Sequence, residues 1–195
     1  MIKRLEENNL YVKLEKCKWK VKKIEFLGVV IGLEGIKIEK KKVKGVLKWL
    51  MPKCVKDMQK FLELVNYYYW FIEEFAIVAR PLHDLVKKDK KWDWMERQEK
   101  AFKKLKKQFT KELVLAALDI DKKMRIEVDA SDYAIEGVLS MECEDRLWRP
   151  VVFLSKSLNE TERNYEIHNK EMLAIVRGLK VWRHLLERVQ YKFEI

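Results

Sequence analysis

Between Met124 and Asp129 apolar and charged side chains alternate one for one, with Met124, Ile126 and Val128 set against Arg125, Glu127 and Asp129. A two-residue period of this kind can bury one row of side chains and wet the other only as a half-buried β-strand. Asp129 then stands on the polar side, at the end of the strand. Residues 134–141 and 149–155 read as two more strands around the polar loop Glu142-Cys143-Glu144-Asp145. Three sequential strands on short turns make an antiparallel meander. From about 161 to 187 the period becomes helical, with Met172, Ile175, Val176, Leu179, Trp182 and Leu186 as the expected core stripe. Residues 191–195 then look like a fourth strand.

The preceding part has another character. Leu10-Tyr11-Val12 and the run from Ile24 to Ile31 are rich in β-branched and aromatic residues. Gly32-Leu33-Glu34-Gly35 supplies turn chemistry before Ile36-Lys37-Ile38, so a hairpin is expected. A short helix over 43–49 is closed by Pro52. From 55 to 76 apolar residues recur at Met58, Phe61, Leu62, Val65, Tyr68, Ile72 and Phe75, the spacing of one amphipathic helix. Tyr67 and Trp70 lie mostly off that stripe, and either form an exposed aromatic platform for nucleotides or pack against a neighbouring element. Pro81 suits the first turn of a helix over 82–86. A helix over 95–110 buries Ala101, Phe102, Leu105 and Phe109 and wets Lys100, Lys103, Lys104, Lys106 and Lys107. A linker is expected near 117–123.

Charge divides the chain at the same place. Residues 1–118 hold 29 Lys and Arg against 16 Asp and Glu, whereas residues 119–195 hold 13 against 15. A positive field confined to one part suits a polyanion, because Lys and Arg release counterions condensed on a phosphate backbone. Solubility alone is the competing reading. With 48% apolar and 37% charged residues the chain reads as globular. No apolar run approaches the roughly 20 residues that cross a bilayer, and the start lacks the apolar core of a secretory signal, so no membrane partner and an intracellular location are expected. Cys17, Cys54 and Cys143, like His83, His168 and His184, are too scattered to define a disulfide or zinc pattern.

On the long C-terminal helix Glu171 neighbours Ala174, Ile175 and Gly178, which places it at the border of the apolar face. A half-sheltered carboxylate is expected there. It either pairs through a metal with Asp129 across the sheet or bonds a backbone or Arg group at the edge of the core.

Taken together, these motifs resemble a piece of the polyprotein of a gypsy-like LTR retrotransposon. Phe26-Leu27-Gly28-Val29-Val30-Ile31 is similar to the hairpin with which that family grips the primer end. Phe61-Leu62, Asn66-Tyr67-Tyr68, Phe71-Ile72, Arg80-Pro81-Leu82 and Ala101-Phe102 are similar to its thumb and following helices. Asp129-Ala130-Ser131, Gly137-Val138-Leu139-Ser140, Arg149-Pro150-Val151, Ser155-Lys156-Ser157-Leu158, Asn164-Tyr165 and Lys170-Glu171 match its ribonuclease H pattern in order. The resemblance implies an α+β fold, with the end of the reverse transcriptase palm and a helical thumb and connection over 1–118. A partial ribonuclease H-like mixed sheet with one long helix follows over 119–195.

Family members copy RNA into DNA and cut the RNA strand of a hybrid with Mg²⁺, in a two-metal scheme where one ion prepares water and the other steadies the leaving oxygen. By resemblance Asp129 and Glu171 are the first two catalytic metal ligands, and Phe26, Leu27, Gly28, Tyr67 and Trp70 face nucleic acid, whether RNA/DNA hybrid or DNA duplex. The remainder of the Pol polyprotein is the implied protein partner. The polymerase aspartates precede the region matching Met1, and the remaining ribonuclease H carboxylates follow the strand at 191–195. The expectation is therefore a reverse transcriptase/ribonuclease H fragment without complete catalytic sites, in which Mg²⁺ binds weakly. A catalytically dead nucleic-acid-binding module or a non-functional remnant is the alternative. Three departures point the same way: Tyr69-Trp70 in place of a basic pair, Glu63 in place of glycine, and Glu136 in place of a small residue.

Overall fold

The computed structural model describes the chain apart from Met1, Asp89, Glu112 and Lys192. A short helix α1 (Ile2–Glu7) opens it, and Leu10-Tyr11-Val12 is extended coil outside any sheet. Tyr11 is 98% exposed, so β propensity without a partner strand makes no strand there.

The run from Ile24 to Ile31 is two strands. Phe26 pairs with Val29, which folds β1 (Lys23–Phe26) back on β2 (Val29–Gly32) through Leu27 and Gly28. Both turn residues have positive φ, 48° and 81°, the requirement of a two-residue hairpin turn whose twist matches its strands. A second turn at Leu33-Glu34 leads to β3 (Gly35–Ile38), completing an antiparallel sheet in chain order.

Four helices follow, α2 (Lys40–Leu47), α3 (Val55–Tyr67), α4 (Phe75–Leu85) and α5 (Glu96–Thr110), and they share one core with Val29, Ile31, Ile36 and Ile38 of this sheet. The single helix expected over 55–76 breaks after Tyr67 into a 3₁₀ turn (Tyr69–Phe71), and Glu74 takes a left-handed φ of 54° before α4 begins. The break is held by α5, whose Gln108 side chain donates to the Glu73 carbonyl and whose Lys104 pairs with Glu74. All seven apolar residues of the expected stripe are nonetheless buried. Pro81 lies inside α4, not in a first turn, so the carbonyl of Ile77 has no helical N–H to accept. The stripe of α5 is buried as expected.

The second sheet is the expected meander: β4 (Met124–Ala130), β5 (Ala134–Glu142) and β6 (Trp148–Ser157) pair in chain order. The expected fourth strand contributes one parallel bridge, Glu194 to Arg125, which makes the sheet mixed; Lys192 lies outside the described residues. The helix expected over 161–187 is two helices, α6 (Glu160–Arg163), capped reciprocally by Asn159 and Glu162, and α7 (Ile167–Leu186).

The stripe of α7 differs from expectation. Lys170, Ala174, Gly178, Trp182 and Leu186 are buried, whereas Met172 and Val176 are exposed. Small side chains decide this: a Cβ on Gly178 would sit 3.1 Å from a Val128 methyl, and one on Gly137 would crowd both Val128 and Trp182. The helix approaches the sheet along its narrow ridge, as i, i+4 packing allows. Phe153 points to the opposite face and joins the core of the helical part, so the sheet lies between α7 on one side and α4 on the other.

Lys170 is the one charged side chain in the core among the described residues, its amine 3.2 Å from Asp132 Oδ1. Asp132 is largely exposed and keeps its hydration without the amine. Lys170→Met is expected to change stability by less than about 1 kcal/mol, read from urea unfolding, because an apolar stem replaces a desolvated charge.

Candidate functional site

Strand alternation builds the first site. Val128 and Gly137 face α7, so their neighbours Asp129 and Glu136, paired across β4 and β5, face the α4 side. There they line a cleft of about 450 Å³ with Glu127, Ser131 and Phe153 of the sheet and Glu73, Glu74 and Ile77 of the helical part. Asp129 Oδ1 accepts from the Ala130 N–H at 2.8 Å. Glu136 accepts from Ser155 Oγ at 2.8 Å, and Ser155 Oγ in turn accepts from the Ala76 N–H at 2.6 Å, a chain of bonds that ties α4 to two strands. Burial pushes the Glu136 carboxyl up to about 7, the Ser155 bond opposes this, and the negative charges of Glu74, Glu73 and Asp129 reinforce it. Its second oxygen is buried without a partner.

Glu171 does not line this cleft. It is exposed on α7, on the other face of the sheet, where the expectation was a half-sheltered position. The ridge through Lys170 and Ala174 takes the buried place and turns Glu171 outward. Among the described residues no three His, Cys, Asp or Glu side chains form a group able to hold a metal ion. Mg²⁺ demands near-octahedral oxygen ligands, and the donors present here do not fit such a centre by themselves. Glu127, Glu136, Glu73 and Glu74 were missed as cleft residues because they come from strands and a helix junction far apart in sequence; only Glu136, as a departure from a small residue, gave a signal.

The second site is the Leu27–Gly28 turn. Tyr67 Oη donates to the Leu27 carbonyl at 3.1 Å and Tyr68 Oη to the Gly28 carbonyl at 3.3 Å, while the Glu39 N–H before α2 also reaches the Gly28 carbonyl at 3.0 Å. Phe26 and Leu27 are exposed, and the Lys42 side chain lies beside Gly28. Four of the five residues expected to face nucleic acid thus meet at one turn.

Trp70 does not join them. It is half-buried in the 3₁₀ turn, its ring 4.2 Å from that of Phe71, because the helix that would have aligned it with Tyr67 has ended. The two rings form no common platform. Tyr67 stands edge-on to Tyr68 at 4.9 Å.

Residues 94–195 match the family described as the RNase H-like domain found in reverse transcriptase. Over all 195 residues the chain is 35% identical to the Tf2-3 and Tf2-4 transposon polyproteins of Schizosaccharomyces pombe, and it spans 15% of the length of these curated relatives. The fold is similar to that of the foamy viral protease-reverse transcriptase solved with double-stranded DNA. The TM-score is 0.77 at 18% identity, covering 98% of this chain and 33% of that one. A structure of the foamy viral enzyme with an RNA/DNA hybrid gives 0.75 at 17% identity, covering 93% and 24%. No helix among the described residues is long and apolar enough to cross a membrane.

Proposed function

The chain belongs to the RNase H-like domains found in reverse transcriptase, and from that premise we propose that it is a nucleic-acid-holding segment of a retrotransposon Pol polyprotein, without a complete catalytic site of its own. The observation that carries this reading is the Leu27–Gly28 turn, where exposed Phe26 and Leu27, the Tyr67 hydroxyl and Lys42 converge. Apolar and aromatic groups beside a lysine suit contact with sugar and base edges next to a phosphate. The basic surplus of residues 1–118 supplies the long-range attraction.

Of the two carboxylates that the resemblance assigns to hybrid cleavage, Asp129 lines the cleft and Glu171 stands on the other face of the sheet, so this chain alone does not bring them into one site. Asp129 sits at the end of β4, held by the Ala130 amide, and Glu171 is on the first turns of α7. Two carboxylates fix too few oxygens to strip water from Mg²⁺, so the ion binds weakly here. The acidic cleft around Asp129 repels a phosphate backbone, whereas the basic surplus of residues 1–118 attracts it.

The test is a labelled RNA/DNA hybrid incubated with the chain and Mg²⁺ beside Asp129→Asn and Glu171→Gln. A discrete complex is expected whose affinity falls steeply between about 50 and 200 mM salt. Cutting is expected to be no greater than in the two variants. Salt-insensitive binding removes the nucleic-acid reading, and efficient cleavage lost in either variant shows that the site is complete after all.

A further inference from the structure

The turn from Ser131 to Ala134, which follows Asp129 directly, is gripped from both faces of the sheet. It is closed internally by the Ser131 N–H donating to the Ala134 carbonyl at 2.9 Å and by the Ala134 N–H donating to Ser131 Oγ at 3.1 Å. From α7, Lys170 reaches Asp132. From α4, the Arg80 guanidinium carbon stands 3.7 Å from the centroid of the Tyr133 ring. The Tyr133 carbonyl accepts from the Leu158 N–H at 2.8 Å, so whatever holds this tyrosine also holds the end of β6.

We infer that Arg80 is a positioning residue: stacked on Tyr133, it locks the Ser131–Ala134 turn to α4 and thereby fixes the Asp129 end of β4 relative to the helical part. A guanidinium over an aromatic face is attracted by the ring quadrupole and its plane matches that of the ring. Arg80 is half-buried, which limits the freedom it loses on stacking. One turn earlier on the same helix, the Ala76 N–H binds Ser155 of β6, so α4 meets the sheet at two separated points. Two points fix a direction where one would leave a pivot.

This inference rests on the proposed function only for what Asp129 does, and its test leaves Asp129 untouched. Amide hydrogen exchange followed by NMR in the whole chain reads the turn through the Ala134 and Leu158 amides and the helical core through the Val65 amide. Arg80→Ala is expected to speed exchange at Ala134 and Leu158 about tenfold while Val65 is unchanged. Arg80→Lys, which keeps a cation, and Tyr133→Phe, which keeps the ring, are expected to restore most of the protection. Tyr133→Leu matches Arg80→Ala, and the double variant exchanges no faster than either, since both remove one contact. Should Arg80→Ala not fold, Tyr133→Leu reads the same contact from a half-exposed ring. Unaltered exchange in both single variants, equal acceleration at Val65, or additive effects in the double variant would each overturn the inference.

Discussion

Gly28→Ala is expected to cost about 3 kcal/mol of stability, most of it through one oxygen atom. At φ +81° a side chain is strained whatever the space, and a Cβ there would lie well inside contact distance of the Tyr68 hydroxyl, with the ring carbon behind it at 3.4 Å. Tyr68 is 1% exposed and packed edge-on against Phe109, so its ring has no room to withdraw. The hydroxyl is therefore the obstacle, and the ring behind it is in ordinary contact. In a Tyr68→Phe background the same substitution is expected to cost only about 1 kcal/mol, the residue of backbone strain. Urea unfolding of the four variants measures this. Equal costs in both backgrounds would mean that the turn moves as a body and that the tyrosine does not set its position.

Glu136→Gln is expected to stabilise the fold above neutral pH and to leave it unchanged in acid. In the folded chain the Glu136 carboxyl lies at about 7, against 4.5 for the free group, because burial and the carboxylates of Glu74, Glu73 and Asp129 disfavour its charge. The folded protein thus holds this proton more tightly than the unfolded one. Stability from it is fully present below pH 4.5 and is lost as the pH rises through 7. Allowing for solvent screening of a partly exposed group, the difference at pH 8 is about 2 kcal/mol. Glutamine keeps an oxygen for Ser155 and offers an amide to the surrounding carboxylates. Unfolding midpoints of both forms at pH 5 and pH 8 decide the matter; parallel pH dependence in the two would show that Glu136 is ionised throughout.

What the sequence revealed follows from range. The alternation at Met124 to Asp129 and the stripe of Ala101, Phe102, Leu105 and Phe109 are local periodicities, and both elements form as read. The breaks are less legible. Leu27-Gly28 was hidden inside an apolar run, because a two-residue turn needs only positive φ and carries no polar marker other than the glycine. The end of α3 was hidden because Tyr68, Ile72 and Phe75 keep helical spacing although the chain leaves the helix, each finding the same core by another route. On α7, hydrophobicity pointed to Met172 and Val176, whereas close approach to the sheet favoured Gly178 and Ala174. Of the candidate site, Asp129 and the residues Phe26, Leu27, Gly28 and Tyr67 could be named from motifs, but not the turn that brings the last four together. The cleft around Glu136 and the stacking of Arg80 on Tyr133 join residues tens of positions apart, and no spacing in one sequence encodes them.

The strands β1 to β3 and β4 to β6 pair in chain order, and this bears on how the chain reaches its fold. Hairpins of this size close within about 1–10 μs because little loop entropy is lost. The antiparallel bridge between Ile36 and Leu115 is another matter: it stitches β3 to the segment that continues through Ala116 to the Pro150 carbonyl of β6, across all of α2 to α5. So distant a contact is expected to form late, after the intervening helices have packed. Weakening it, for instance at Gly35, where a Cβ would meet the Leu115 backbone, should hasten unfolding and leave the folding rate nearly unchanged.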